Sequence, residues 1–179
     1  MSVFTNPSAS APEQAAHYVA ALVTLLGTRN PVDVLARTSG LLDEGVRGLS
    51  KDHVRHPEAD GKWSVADVLQ HLADSELVWG FRLRLTLAQD RPQLVGYDQD
   101  RWASRLHYER ADPQQALRLF TVLRDSHLAL LKAASTIDLQ RVAVHAERGV
   151  QTIEQMVQLC AGHDLVHINQ ISRIKASLI

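Results

Sequence analysis

Residues 153–174 read IEQMVQLCAGHDLVHINQISRI. Apolar side chains recur in this stretch every three or four residues, which is the spacing of one face of an α-helix. His163 and His167 occupy two positions of a series that otherwise holds Ile153, Met156, Val157, Cys160, Ile168, Ile171 and Ile174. The stretch therefore predicts a long core helix that carries two histidines on its buried face.

The two histidines are four residues apart, so their Cβ atoms would lie about 6 Å apart on one face of the helix. Imidazoles in this arrangement can bind one metal ion, as in other helical H-x-x-x-H pairs. Burying imidazoles without partners costs desolvation free energy, and one shared ion supplies a partner to both. The alternative is a pair of core histidines held by hydrogen bonds, and periodicity alone does not decide between the two.

A mononuclear site needs a third ligand, for which the spacing leaves three candidates. His71 lies at the edge of the apolar stripe of its own predicted helix, whereas His127 lies squarely within the stripe of another. Cys160 lies one turn before His163, although a cysteine at such a position is more often a small buried hydrophobe. The spacing slightly favours His127, but it is not enough to choose between His71 and His127 as the third ligand.

Helix start signals recur along the rest of the chain. They are Ser10-Ala11-Pro12-Glu13, Asn30-Pro31, Ser64-Val65-Ala66-Asp67, Asp112-Pro113 and Thr152-Ile153-Glu154-Gln155. The predicted helices stop at Gly27, near Gly48–Ser50 and at about Gln89, and a fourth carries the stripe Ala116, Leu119, Phe120, Leu123, Leu130, Leu131 and Ala134. Residues 1–9 are small and polar and are predicted to be disordered.

These elements predict an all-α protein in which four core helices and an extra N-terminal helix form one domain over residues 10–179. Residues Leu139–Val144 can form a short extended piece, but the sequence shows no evident partner for it. The connection over residues 90–112 is too long for a simple turn, and such loops tend to carry function.

Bulk composition excludes several classes of protein. The net charge of −1 gives no basic face for nucleic acid or anionic lipid. The single cysteine excludes an intrachain disulfide and fits a reducing cytoplasm, where we expect the protein to be located. No apolar run approaches the ~20 residues that span a bilayer, and the first 28 residues lack the Lys or Arg of a targeting peptide.

Several segments, taken in order, resemble the DinB-like (DinB/YfiT) family. They are Gly61-Lys62-Trp63-Ser64-Val65, His71-Leu72-Ala73-Asp74 with Glu76, Arg91-Pro92, Gly96-Tyr97-Asp98 with Trp102, His145 with Gly149, and Ala161-Gly162-His163-Asp164 with His167 and Gln170-Ile171. The resemblance covers roughly residues 11–175. It implies an up-and-down four-helix bundle with one metal ion held by His71, His163 and His167, and it leaves His127 as a core histidine.

Three protein ligands leave an open coordination position, which is typical of a catalytic site. An all-imidazole set suits Zn²⁺, Ni²⁺ or Fe²⁺. The resemblance implies a metalloenzyme acting on a small molecule, either a transferase that uses a low-molecular-weight thiol or a hydrolase. The alternative is a non-catalytic, stress-related metal-binding bundle. A di-iron carboxylate site needs Glu-x-x-His pairs, and the chain contains none.

Supporting roles follow from position. We expect Asp74, Asp164 and Gln170 to orient ligand imidazoles, with a solvated surface carboxylate as the alternative for each aspartate. Glu76 and His145 are candidate catalytic residues, although Glu76 could instead pair with Arg82 or Arg84. Tyr97 and Trp102 could line the mouth of the site, whereas His17, His53, His56 and His107 are expected at the surface. The apolar face of the N-terminal helix favours a homodimer.

Overall fold

A computed structural model of the chain describes residues 12–178. Its helices are α1 (Pro12–Leu26), α2 (Pro31–Val46), α3 (Val65–Ala88), α4 (Gln99–Arg105), α5 (Pro113–Ala133), α6 (Thr136–Leu139) and α7 (Ile153–Leu178). Its strands are β1 (Gln93–Leu94), β2 (Val142–His145) and β3 (Gly149–Thr152), and single 3₁₀ turns cover His53–Arg55 and Tyr108–Arg110. The predicted disorder of residues 1–9 and the predicted cap at Ser10 lie outside the described residues.

The helix start signals within the described residues are confirmed. The Asn30 side chain accepts hydrogen bonds from the backbone N–H groups of Val32 and Asp33. Ser64 and Asp67 form a reciprocal capping box, and Thr152 and Gln155 bond each other's backbone N–H groups in the same way. The Asp112 side chain accepts from the N–H of Gln114. Each of these bonds satisfies an amide at a helix start that would otherwise lack an intrahelical partner.

The predicted four-helix bundle with an additional N-terminal helix is confirmed. Helices α2 and α3 each pack against both α5 and α7, and α1 packs against α7. One apolar cluster joins the end of α2 and the end of α7 to the starts of α3 and α5. A second cluster joins the opposite ends of these four helices. Thus α2 and α7 run in one direction, and α3 and α5 run in the other.

The directions of the core helices make the predicted up-and-down bundle more specific. Helices α3 and α5 are consecutive core helices, yet they run in parallel, because the connection over residues 89–112 returns the chain to the end of the bundle where α3 began. A long crossover of this kind is how a bundle departs from simple alternation of direction.

A close approach between α1 and α7 depends on Gly162. A Cβ atom at this position would lie 2.6 Å from the carbonyl oxygen of Leu22 and 2.9 Å from its Cβ atom. Glycine therefore lets the backbone of α1 lie directly on α7, one residue before His163, and this accounts physically for the glycine in the Ala161–Asp164 segment.

The extended piece predicted near Leu139–Val144 does have pairing partners, so that part of the prediction was wrong. Strand β2 pairs antiparallel with β3 and parallel with β1, while Leu139 belongs to α6. Strand β1 contains only two residues and comes from the irregular connection after α3, which is too short a segment to show an alternating pattern. The Arg141 guanidinium ties the sheet to the end of α3 by donating to the carbonyl oxygens of Thr86 and Gln89.

Among the described residues, no single helix has both the length and the apolar character needed to cross a membrane. The bent pair formed by residues 14–26 and 31–46, whose axes differ by 83°, meets those criteria only when its two helices are taken together. The second of these helices is α2, which places Leu35, Thr38 and Leu42 in the bundle core.

Candidate metal centre

Three histidines converge inside the bundle, one from α3 and two from α7. The Nε2 atom of His163 lies 3.1 Å from Nε2 of His71 and 3.2 Å from Nε2 of His167. One nitrogen from each of the three rings lies within 4.8 Å of the others. All three side chains are buried. The structure therefore brings together the three residues that the family resemblance selected as ligands.

The surroundings keep these imidazoles neutral. Burial lowers the pKa of all three histidines, because a charged imidazolium loses its hydration there. For His167 the pKa falls to about 4. His71 and His163 are lowered further by the neighbouring histidines, since two charged rings would repel each other. Neutral imidazoles have the free lone pairs that metal ligands require.

The geometry of the three nitrogens fits one small divalent ion. A ring nitrogen has one in-plane direction, which holds either a proton or a lone pair, so Nε2 of His163 cannot form good hydrogen bonds to both neighbours at once. Imidazole nitrogens bind zinc at ~2.0–2.1 Å, which places two of them about 3.3 Å apart in a tetrahedral site. The observed separations of 3.1 and 3.2 Å are close to that value.

Neighbouring side chains hold two of the rings in place. The Nδ1 atom of His167 lies 2.9 Å from Oε1 of Gln170, so that Nδ1 donates its proton and Nε2 keeps its lone pair. The centroid of the Trp63 ring lies 4.8 Å from that of His71 and 6.5 Å from that of His167, to which the Trp63 ring is nearly parallel. The contact of Gln170 is the orienting role that the sequence predicts for this residue.

Replacing Gln170 with leucine is therefore expected to weaken metal binding about 10- to 100-fold, because the ring of His167 would lose the bond that fixes its tautomer. Competition with a chromogenic chelator measures the affinity. The neighbouring Asn169, which is exposed, provides the matched control, and Asn169→Leu should bind the ion as the wild type does. Equal affinities for the two variants would show that Gln170 does not position the ligand.

The two aspartates do not orient the histidines, so this prediction was wrong for both. Asp74 accepts hydrogen bonds from the Tyr108 hydroxyl at 2.6 Å and from the Gln70 amide at 3.1 Å. Asp164 accepts from Arg124 and from the Thr38 hydroxyl. Asp164 follows His163 directly, so its side chain points about 100° further round the helix. Neither aspartate is a solvated surface carboxylate, since both are buried.

Arg124 is the centre of a buried ionic network that the sequence analysis missed. Its guanidinium donates in a fork to both carboxylate oxygens of Glu76 at 2.8 Å and reaches Asp164 at 2.5 Å. It also donates to the carbonyl oxygen of Leu35 and lies over the ring of Phe120. This residue links α5 to α2, α3 and α7 at mid-height in the bundle.

Glu76 therefore has a structural partner that differs from those predicted. It binds neither Arg82 nor Arg84 but pairs with Arg124 and His127. Burial raises the pKa of Glu76, and hydrogen bonds from Arg124 and His127 outweigh this effect and lower it below its usual value. A carboxylate held in this way stays ionised and is poorly suited to move protons.

His127 is a hydrogen-bonded core histidine, as the resemblance implied. Its Nδ1 atom lies 2.6 Å from Oε1 of Glu76. Gly80 makes room for the ring, since a Cβ atom there would lie 1.9 Å from Nε2 of His127. Cys160 is also buried, and burial raises the pKa of its thiol well above the usual value. Its Sγ atom faces Arg124, and we do not include it among the ligands.

His145 is the last residue of strand β2. Its Nδ1 atom accepts the backbone N–H of Glu147, and its buried Nε2 atom has no hydrogen-bond partner among the described residues. Burial, with Arg148 and Arg82 nearby, lowers the pKa of His145 to about 3. A group with a pKa this low is poorly suited to exchange protons near neutral pH, which does not favour His145 as a catalytic residue. His17, His53, His56 and His107 are exposed, as predicted.

Two spaces adjoin the histidines. A cleft of about 600 Å³ is bordered by His167, Trp63, Gln170 and Arg173. A smaller cavity of about 40 Å³ is bordered by His163 and by Tyr97 from the long connection. The Tyr97 hydroxyl bonds Ser75 at 2.9 Å, and Oγ of Ser75 lies 3.4 Å from Nε2 of His71. Trp102 packs against Tyr97 and is not among the residues that border either space.

The sequence pattern of the DinB superfamily matches residues 35–171, which include all three histidines. The chain belongs to the DinB superfamily. Its relatives include the Bacillus subtilis protein named "Putative metal-dependent hydrolase YfiT", which is 28% identical over 146 residues that cover 79% of this chain and 82% of that protein. An Oceanobacillus iheyensis protein with the same description is 28% identical over 145 residues, covering 81% of this chain and 82% of the relative.

The solved structure of YfiT has the same fold as this DinB-superfamily chain. The TM-score is 0.77 at 24% sequence identity, and the match covers 97% of this chain and 93% of YfiT. YfiT is described there as a probable metal-dependent hydrolase with an unusual four-helix bundle topology. In this chain, α3 and α5 run in parallel, as do α2 and α7.

Proposed function

We propose that this protein is a metal-dependent enzyme in which His71, His163 and His167 hold one divalent ion beside a substrate cleft. The reaction is the attack of an activated nucleophile on a small electrophilic molecule. Water as the nucleophile makes the protein a hydrolase, the activity named for its relatives. A low-molecular-weight thiol as the nucleophile makes it a transferase, the reaction implied by the family resemblance.

The observation that carries this proposal is the convergence of three neutral Nε2 atoms at 3.1 and 3.2 Å, with a cleft of about 600 Å³ on one side. Three ligands leave an open position, and the cleft beside His167 offers space for a small molecule. A bound divalent ion would supply a Lewis acid that favours the deprotonated form of a nucleophile. An imidazole set is compatible with Zn²⁺, Ni²⁺ or Fe²⁺.

Residues around the histidines have separate tasks. Gln170 fixes the tautomer of His167, and Trp63 covers the rings of His71 and His167 on one side. The Ser75 hydroxyl lies 3.4 Å from Nε2 of His71 and bonds the Tyr97 hydroxyl at 2.9 Å. Burial raises the pKa of Tyr97, so its hydroxyl keeps its proton at neutral pH and can donate a hydrogen bond to a reacting group.

The proposal is tested by stripping the protein of metal, reloading it with Zn²⁺, Ni²⁺ or Fe²⁺, and measuring two reactions. The first is hydrolysis of small esters and amides. The second is conjugation of several low-molecular-weight thiols to an electrophilic dye. We expect a metal-dependent rate in one of the two reactions, and His163→Ala should abolish it. Which reaction responds decides between water and a thiol.

A wild-type protein that binds the ion but shows no rate above that of His163→Ala in either reaction would contradict the enzyme proposal. Combined with a large fall in melting temperature on chelation, that result would make the protein a non-catalytic metal-binding bundle.

A further inference from the structure

A small polar cavity borders His163 and shares no lining residue with the cleft beside His167. It has a volume of about 40 Å³ and lies between α1, α3, α7 and the β2–β3 hairpin. The polar groups that line it come from Tyr18, Ser75, Arg82, Tyr97, Arg148 and His163, and none of its lining residues is acidic. The cavity is therefore bordered both by His163 and by two arginines.

Neither arginine has a carboxylate partner within the described residues. Arg82 is 6% exposed and donates to the carbonyl oxygen of Val95. Arg148 donates from Nε to the side-chain oxygen of Gln151. Glu147 is near enough to act on both charges but forms no ion pair with either within 4.0 Å. Each guanidinium has five N–H donors, so most of these donors have no strong acceptor.

The two charges also oppose each other. Burial and the nearby charge of Arg148 lower the pKa of Arg82 to about 10. Burial also disfavours the charged form of Tyr18 and Tyr97, which raises the pKa of both hydroxyls, so both remain protonated donors. Placing two cations beside protonated hydroxyls in a partly buried cavity costs free energy that an anion would recover. The cavity has the composition of an anion site.

We propose that Arg82 and Arg148 bind a carboxylate group of the substrate and so place the rest of the molecule against the metal centre. That the anion belongs to the substrate rests on the proposed function. A planar carboxylate needs less room than a tetrahedral phosphoryl group, which suits a cavity of about 40 Å³. The planar fork of an arginine also matches the two oxygens of a carboxylate.

The test is a titration of the full-length, Zn²⁺-loaded protein with sodium acetate at constant ionic strength, followed by tryptophan fluorescence. Trp79 lines the cavity and acts as the reporter. We expect saturable binding of acetate by the wild type. Arg148→Gln should weaken it at least about tenfold, since a hydrogen bond to a charged group is lost, and Arg148→Lys should be intermediate. Arg118→Gln removes an exposed arginine of α5 and should bind as the wild type does.

Arg82 provides a second, independent variant. Arg82→Lys keeps the positive charge but removes the fork and the guanidinium bond to the carbonyl oxygen of Val95, and it should also weaken acetate binding. Circular dichroism checks that each variant is folded. The proposal is overturned if the folded wild type shows no saturable response, or if Arg148→Gln binds acetate unchanged. If phosphate binds at lower concentration than acetate, the arginines recognise a phosphoryl group, and the proposal that they bind a carboxylate is overturned.

A repeat with the chelated protein separates this inference from the proposed function. Acetate held by the arginines should still bind after chelation. Acetate binding that disappears with the ion would place it on the metal and overturn the inference. Failure of the protein to bind Zn²⁺ would refute the proposed metalloenzyme, whereas the acetate titration of the same metal-free protein would still decide whether the arginines form an anion site.

Discussion

Replacing Arg124 with methionine is expected to lower the free energy of unfolding by about 3–5 kcal/mol. The change leaves two buried carboxylates, Glu76 and Asp164, without the cation that bonds both of them at 2.5–2.8 Å. The side chains of all three residues are at most 3% exposed, so water cannot replace the lost bonds. Because single domains are stable by only about 5–15 kcal/mol, the loss would be a large part of the total. Urea denaturation followed by circular dichroism measures it.

The control is Arg118→Met, which removes an exposed arginine from the same helix and should change stability by less than about 0.5 kcal/mol. Arg124→Lys should recover only part of the loss, because an ammonium group cannot reproduce the fork to Glu76. If Arg124→Met unfolds within about 1 kcal/mol of the wild type, the network does not hold the four core helices together as the contacts indicate.

The second large effect concerns His163, whose Nε2 atom faces those of both other histidines. Its replacement by alanine should lower the affinity for a divalent ion more than about 100-fold, since even the loss of an outer-shell contact costs 10- to 100-fold. Elemental analysis after dialysis should find about one ion per wild-type chain and almost none in the variant. Chelation should lower the melting temperature of the wild type only, because an ion at 1,000 times its Kd adds about 4 kcal/mol.

Two other histidines serve as controls for this prediction. His53→Ala removes an exposed histidine, and His127→Gln removes the buried histidine that bonds Glu76. Both variants should keep the ion. If His127→Gln loses the ion while its fold stays intact, the third ligand is His127 of α5 and not His71 of α3.

The helix starts follow from local signals that need no tertiary information. The caps at Asn30, Ser64 and Asp112 lie where the sequence predicts them, since each is a bond between a side chain and an amide two or three residues away. The sheet was not predictable in this way. Its pairing joins residues 93–94 to 142–145, and strand pairs of two to four residues carry too little periodicity to reveal a distant partner.

The candidate site was also predictable from the sequence only in part. Periodicity places His163 and His167 on one buried face but favours His127 over His71 as their partner. Both of these histidines are buried, and what separates them is direction: His71 points at α7, whereas His127 points at Glu76. Helix spacing does not contain that information, and the family motif around His71 supplied it.

Arg124 was missed although a signal exists. The buried residues of α5 are Ala116, Leu117, Phe120, Arg124 and His127, so the arginine itself continues the helical stripe. The predicted stripe included Leu119 and Leu123 instead, of which Leu119 is exposed and Leu123 only half-buried. A charged residue at core spacing, with unpaired carboxylates on neighbouring helices, is the pattern that would have indicated the network.

The three-histidine metal site is tested most directly by a crystal structure of the protein loaded with Zn²⁺, with the ion identified by anomalous scattering at its absorption edge. We expect one ion per chain, bound by the Nε2 atoms of His71, His163 and His167 at ~2.0–2.1 Å, with a fourth position open to solvent or ligand. An ion bound elsewhere, or three histidines that stay in mutual contact with no ion between them at saturating Zn²⁺, would contradict it.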